Sequence, residues 1–105
     1  MEYINRSAIT ISHKQPYIQW HNALSPDLPM EENMLGESKT YLVKPDFDDA
    51  DKLIKKHFKQ IFESELEGIW IDENDWPQNR NWKLFNEWFN YEISDFVMDL
   101  IDAPL

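Results

Sequence analysis

The chain has no cysteine. That removes disulfide staples, thiol nucleophiles and cysteine-based zinc sites together. It has two glycines, too few for a loop that cradles phosphate, and no P-loop, G-x-G-x-x-G or G-x-S-x-G pattern occurs. No stretch approaches the roughly 18 consecutive apolar residues of a membrane-spanning helix. The opening MEYINRSAITIS lacks the basic region and apolar run of a secretory leader. These absences predict a cytoplasmic protein.

Positive charge is also scarce. Ten basic residues face twenty acidic ones, for a net charge of −10. The excess is concentrated in residues 46–75, which hold four basic and ten acidic groups. A nucleic-acid binder needs a basic footprint, and adhesion to anionic lipid needs the same. Both partners are therefore excluded as expectations. An acidic surface suits a basic protein partner. Mimicry of nucleic acid would need unbroken acidic spacing, which Lys52, Lys55, Lys56 and Lys59 interrupt.

What the chain does have is aromatic bulk. Its 105 residues are 42% hydrophobic and 14% aromatic, enough for a single domain over 1–105 with its own core. Four of the five tryptophans fall between Trp70 and Phe89. Ser7–His13 alternates apolar and polar residues and predicts a first strand. Pro16 suits the first turn of a helix over about 16–24, with Tyr17, Ile18, Trp20 and Leu24 at helical spacing. The segment that follows reads as a plain crossover loop, in which one turn of helix closed by Gly36 would fit. Thr40–Val43 predicts a second strand covered on both faces. A crossover between these two strands predicts parallel pairing.

Asp46–Glu67 predicts the longest helix, capped by Asp46 or Asp48 and stopped by a left-handed Gly68. Its apolar stripe runs through Ala50, Leu53, Ile54, His57, Phe58, Ile61, Phe62 and Leu66. Asp48–Lys52, Asp51–Lys55 and Lys59–Glu63 are spaced as i,i+4 pairs. Ile69–Ile71 suits an edge strand or a packed loop. Asn79 or Asn81 is expected to cap a helix carrying Trp82, Phe85, Trp88 and Phe89. Residues 91–101 return to period 2 and predict a last strand, with Asp95 and Asp99 on one face. The expected order is β-α-β-α-(α)-β. The expected fold is an α+β two-layer sandwich, a three-stranded mixed sheet with helices on one face.

The spacing Trp76-Pro77-x-x-Arg80-x4-Phe85-x-x-Trp88-Phe89, followed by Val97-x-Asp99-Leu100, resembles a family of small bacterial proteins of this length. Pro16-Tyr17-x-x-Trp20 and Ile61-Phe62-Glu63-x-Glu65-Leu66 extend the resemblance over most of the chain. The family has no activity to carry over. Its members often have His-Ser where this chain has Ser94-Asp95, so the resemblance implies no histidine chemistry at that position.

Candidate sites follow from the same residues. Arg80 is a planar, permanently charged donor fork in an acidic chain. It could receive a carboxylate or phosphate, with Trp76 or Trp82 stacking on it or on a ligand ring. Alternatively it pairs with Asp72, Asp75, Glu87 or Asp99 and pins a turn. Asp95 and Asp99, on one strand face, could form an acid–base pair. Asp72-Glu73-Asn74-Asp75 fails the calcium-loop pattern, because Trp76 and Pro77 stand at its fifth and sixth positions. His13, His21 and His57 lack zinc-ligand spacing. No metal or cofactor is expected. Two readings remain: a non-catalytic interaction module that meets another protein through an acidic, aromatic surface, or a small enzyme or ligand binder using Arg80, Asp95 and Asp99.

Overall fold

The structure is a computed structural model, and it describes residues 1–29, 37–45 and 49–101. Among the described residues, five strands and three helices follow one another as β1 (Glu2–Ile4), β2 (Ser7–His13), α1 (Gln15–Leu24), β3 (Ser38–Val43), α2 (Ala50–Glu67), α3 (Trp82–Trp88), β4 (Phe89–Ser94) and β5 (Val97–Asp99). A single 3₁₀ turn, Glu73–Asp75, lies between α2 and α3. The fold is α+β. A three-stranded sheet has the order β3-β2-β4, and β1 pairs with β5 in a second, two-stranded sheet.

Every pairing among the described residues is antiparallel. The expected parallel pairing, and with it the mixed sheet, is overturned. The reason is already visible in the residues of β2, and in the burial of β3. Alternation between apolar and polar residues marks an antiparallel strand with one solvated face. Ser7, Ile9 and Ile11 of β2 are buried on one face; on the other, Ala8 is buried and Thr10 and Ser12 are half-buried. In β3, Tyr41 and Val43 are half-buried while Thr40 and Leu42 are exposed, so that strand is not covered on both faces. Thr10 and Thr40, cross-strand partners, share a hydroxyl hydrogen bond of 2.9 Å on the open side.

The core joins Ile9 and Ile11 of β2 to Tyr17 of α1, Leu53, Ile54, Ile61, Phe62 and Leu66 of α2, and Phe85 and Phe89 around α3. The stripe expected on α2 is the buried face from Leu53 onward, although Ala50 is exposed and His57 and Phe58 are half-buried. Trp82, Phe85, Trp88 and Phe89 converge as expected. Phe62 meets the rings of Phe85, Trp88 and Phe89 at 5.2–6.1 Å.

Asp49 caps α2, its side chain accepting a hydrogen bond from the Asp51 N–H at 2.8 Å. The cap is thus one residue past the nearer expected position and three past the other; Asp46 and Asp48, like the turn at Gly36, lie outside the described residues. Asp51–Lys55 forms at 3.0 Å, whereas Glu63 faces Arg80. Gly68 is right-handed, at φ −63°, so it ends the helix without the expected left-handed turn. Ile69–Ile71 is a loop. Asn81 caps α3 by accepting from the Leu84 N–H at 2.8 Å, a bond that contributes about 1 kcal/mol in comparable caps.

The expected strand over 91–101 is broken. β4 begins directly after α3, at Phe89, and ends at Ser94; β5 resumes at Val97 in the other sheet. A bulge is the cause. Between the pairs Ile4–Val97 and Ala8–Ser94, three residues on one strand (Asn5, Arg6, Ser7) oppose two on the other (Asp95, Phe96). The extra residue is taken up in a tight turn, in which the Arg6 N–H donates to the Ile4 carbonyl at 2.7 Å. Such a bulge bends the ladder and increases its twist. Strands β1–β2 and β4–β5 therefore form one long ribbon, kinked in the middle.

Candidate functional site

Three groupings of side chains bear on function: the turn at Arg80, a buried cluster at Glu65, and the β1–β5 ribbon.

The turn is built from tryptophan hydrogen bonds. Trp70 donates its indole N–H to the Asp75 carboxylate at 2.9 Å, Trp20 donates to the Asp75 carbonyl at 2.9 Å, and Trp76 donates to the Trp70 carbonyl at 2.7 Å. Asp72 caps the 3₁₀ turn by accepting from the Asn74 N–H. The acids at 72 and 75 are thereby engaged within the turn. Trp76 is buried, so it supports the loop from beneath.

Arg80 lies over the Trp76 ring, its Cζ 5.5 Å from the centroid, and donates Nη1–H to the Pro77 carbonyl at 2.8 Å. Its carboxylate neighbour is Glu63 of α2, at 3.7 Å, which none of the four expected partners anticipated. Trp82 and Arg80 line one open cleft of about 580 Å³ between α2 and the turn. Asp95 and Asp99 do not join them. Asp95 sits exposed at the bulge, where its carboxylate accepts a long hydrogen bond of 3.4 Å from the buried Ser7 hydroxyl. Asp99 lies on β5 and accepts from the Ile101 N–H at 2.8 Å. The break between β4 and β5 puts the two acids in different structural settings. Of the five expected residues, the fold brings together Trp76, Arg80 and Trp82.

The Glu65 cluster is the feature that spacing arguments overlooked. Glu65 belongs to α2 and is 2% exposed. One carboxylate oxygen pairs with His13 Nε2 at 2.8 Å; the other accepts from Lys39 Nζ at 2.9 Å and from the Tyr41 hydroxyl. The Tyr17 hydroxyl donates to the Glu65 backbone carbonyl at 2.8 Å, and the Tyr17 ring stacks on His13 at 4.0 Å. Burial alone would push the Glu65 carboxyl up. Hydrogen bonds from His13, Tyr41 and Lys39, with the Lys39 charge, outweigh it and hold the carboxyl at about 2. Burial, with the Glu65 hydrogen bond and charge, pushes the Tyr41 phenol up to about 12. Burial and the same carboxylate raise Tyr17 further. A catalytic base works best with a pKa near the working pH. A carboxylate this acidic, with both oxygens engaged, instead pins α2 to β2, β3 and α1. The signal for it was its position: Glu65 follows Ile61 by four residues and Phe62 by three, which places it on the apolar stripe.

The ribbon is the opposite case. Tyr3 pairs with Met98 across it, and Phe96 meets Tyr3 with ring centroids 5.9 Å apart. Tyr3 is 50% exposed, Met98 47% and Phe96 76%, and Leu100 and Ile101 next to them are exposed as well. On the other face Glu2 stands directly opposite Asp99. Like charges in that position destabilise a ribbon.

Among the described residues no group of three or more histidines and acids is placed to hold a metal, and no helix is long and apolar enough to cross a membrane. Comparison with profiles of known families, with characterised proteins and with solved structures finds no match.

Proposed function

We propose that this protein is a non-catalytic, acidic, cytoplasmic interaction module of bacterial type, and that it meets its protein partner through the β1–β5 ribbon. The observation that carries the reading is the exposed apolar face of Tyr3, Phe96 and Met98 on a short two-stranded sheet. Contiguous exposed apolar patches mark interaction sites, and an isolated two-stranded ribbon is marginal in water by itself. The reading treats α1, α2 and α3 as one layer behind the three-stranded sheet, with the ribbon projecting past it.

The chemistry of the partner follows from the ribbon's two faces. A strand added along an edge alternates its side chains between those faces. One face offers Tyr3 and Met98; the other offers Glu2 and Asp99 beside the half-buried pair Ile4–Val97. The occupant is therefore an extended segment of alternating apolar and basic residues, whose cations relieve the Glu2–Asp99 repulsion. A second copy of a chain with net charge −10 would add repulsion instead.

The double variant Phe96→Ser, Met98→Ser is expected to lose the partner captured by the wild-type protein, with its melting transition unchanged. Ile71→Ser is the control: Ile71 is 84% exposed but stands on the loop between α2 and the 3₁₀ turn, outside the ribbon strands, and capture should persist. Loss of capture by Ile71→Ser with retention by the double variant would contradict the reading.

A further inference from the structure

Arg80 is held in an unusual way for a structural arginine. The contacts that fix it are neutral: a backbone carbonyl at 2.8 Å and the face of the Trp76 ring. Neither cancels its charge. Its carboxylate neighbour, Glu63, is 3.7 Å away and half exposed, the kind of surface pair that contributes little and exchanges readily. A planar guanidinium with five donors has capacity left over after one short hydrogen bond.

The surroundings complete the picture. The cleft of about 580 Å³ beside Arg80 is walled by Phe58 and Trp82, whose rings meet edge to face at 5.4 Å. Lys59 lines it, and Lys55, paired with Asp51 at 3.0 Å, extends over the Trp82 ring at 5.5 Å beside it. In a chain with twice as many acidic as basic residues, three cations thus gather around one aromatic wall. This lies apart from the ribbon, on α2 and the turn before α3, and it does not depend on the ribbon's role.

We propose that this cleft binds a small oxyanion, carboxylate or phosphate, carried on a planar ring. The anion takes the place of the Glu63 carboxylate at the Arg80 fork, which matches a two-oxygen acceptor. The ring packs against Trp82 and Phe58, and Lys59 adds charge at the mouth. Trp76, buried beneath the arginine, is a positioning residue: it holds the fork without neutralising it.

The test is a titration followed by ¹H–¹⁵N NMR, reading the Trp82 indole and the Arg80 side-chain signals. The probes are phenyl phosphate, benzoate and inorganic phosphate. Phenyl phosphate or benzoate is expected to shift both signals saturably; whichever binds more tightly identifies the anion. Inorganic phosphate, without a ring, is expected to bind about tenfold more weakly or worse. Arg80→Gln should weaken the ring-bearing probe about tenfold or more, the loss of a charge-assisted pair. Glu63→Gln should tighten it, because a competitor is removed. A dispersed spectrum shows that each variant is folded. The proposal is overturned if neither ring-bearing probe gives saturable shifts, if binding survives Arg80→Gln unchanged, or if Glu63→Gln fails to tighten it.

Discussion

Replacing Glu65 with Gln is expected to lower stability by about 3 kcal/mol at pH 7 and to leave little difference near pH 2. The carboxyl sits at about 2 in the folded protein against an ordinary value of 4.5. A carboxyl depressed on folding contributes stability that is fully present above its unfolded value and disappears as pH falls through its folded one. The window is therefore from about 4.5 down to about 2. Gln keeps the shape but cannot accept three donors, and it offers an N–H₂ where His13, Tyr41 and Lys39 already donate. Urea denaturation of both proteins at several pH values separates this group from the other carboxylates, because only the difference between the two curves matters. A difference that does not change with pH would mean that Glu65 titrates like an ordinary surface acid.

The second large effect belongs to the aromatic core. Phe62→Ala is expected to cost about 4 kcal/mol. The ring is fully buried and touches Phe85, Trp88 and Phe89. These come from α3 and the start of β4, so the cavity would open where α2 meets both. A domain of this size has about 5–15 kcal/mol in hand, so the variant should still fold and be measurable. Phe96→Ala is the matched contrast. It removes the same side chain from an exposed site, and the change should stay within about 0.5 kcal/mol. Equal losses from the two would mean that Phe96 belongs to the core.

The parts of this fold that could be read from residue order are those set by local chemistry. Ser7–His13 alternates and is a strand; Leu53 to Leu66 repeats at helical spacing and is a buried helix face; Asn81 caps the helix that carries Trp82 and Phe85. The parts that could not be read depend on residues far apart in the chain. Glu2–Ile4 has no periodicity of its own and becomes a strand only because Val97–Asp99 lies beside it. The period-2 run over 91–101 hides a bulge whose extra residue lies on the other strand, near Arg6. The strand breaks there, β4 ending at Ser94 and β5 resuming at Val97 in the other sheet, and this break separates Asp95 from Asp99. Parallel pairing was a topological inference, and the alternation in β2 was the better guide; Ser38–Val43 shows none in its residues. At the site, Arg80 and Trp82 were legible as an unusual pair of residues. Glu63 was not, because its place opposite Arg80 depends on how α2 packs against the turn.

The most direct test of the ribbon's role places a photoreactive phenylalanine analogue at Met98 in one protein and at Ile71 in another, with irradiation in the native cells. Both positions are exposed, but only Met98 lies on the β1–β5 ribbon. Position 98 should give one discrete adduct, mapping by mass spectrometry to an extended segment of alternating apolar and basic residues in the partner, and position 71 should not give it. An adduct common to both positions, or none from position 98, would contradict the account.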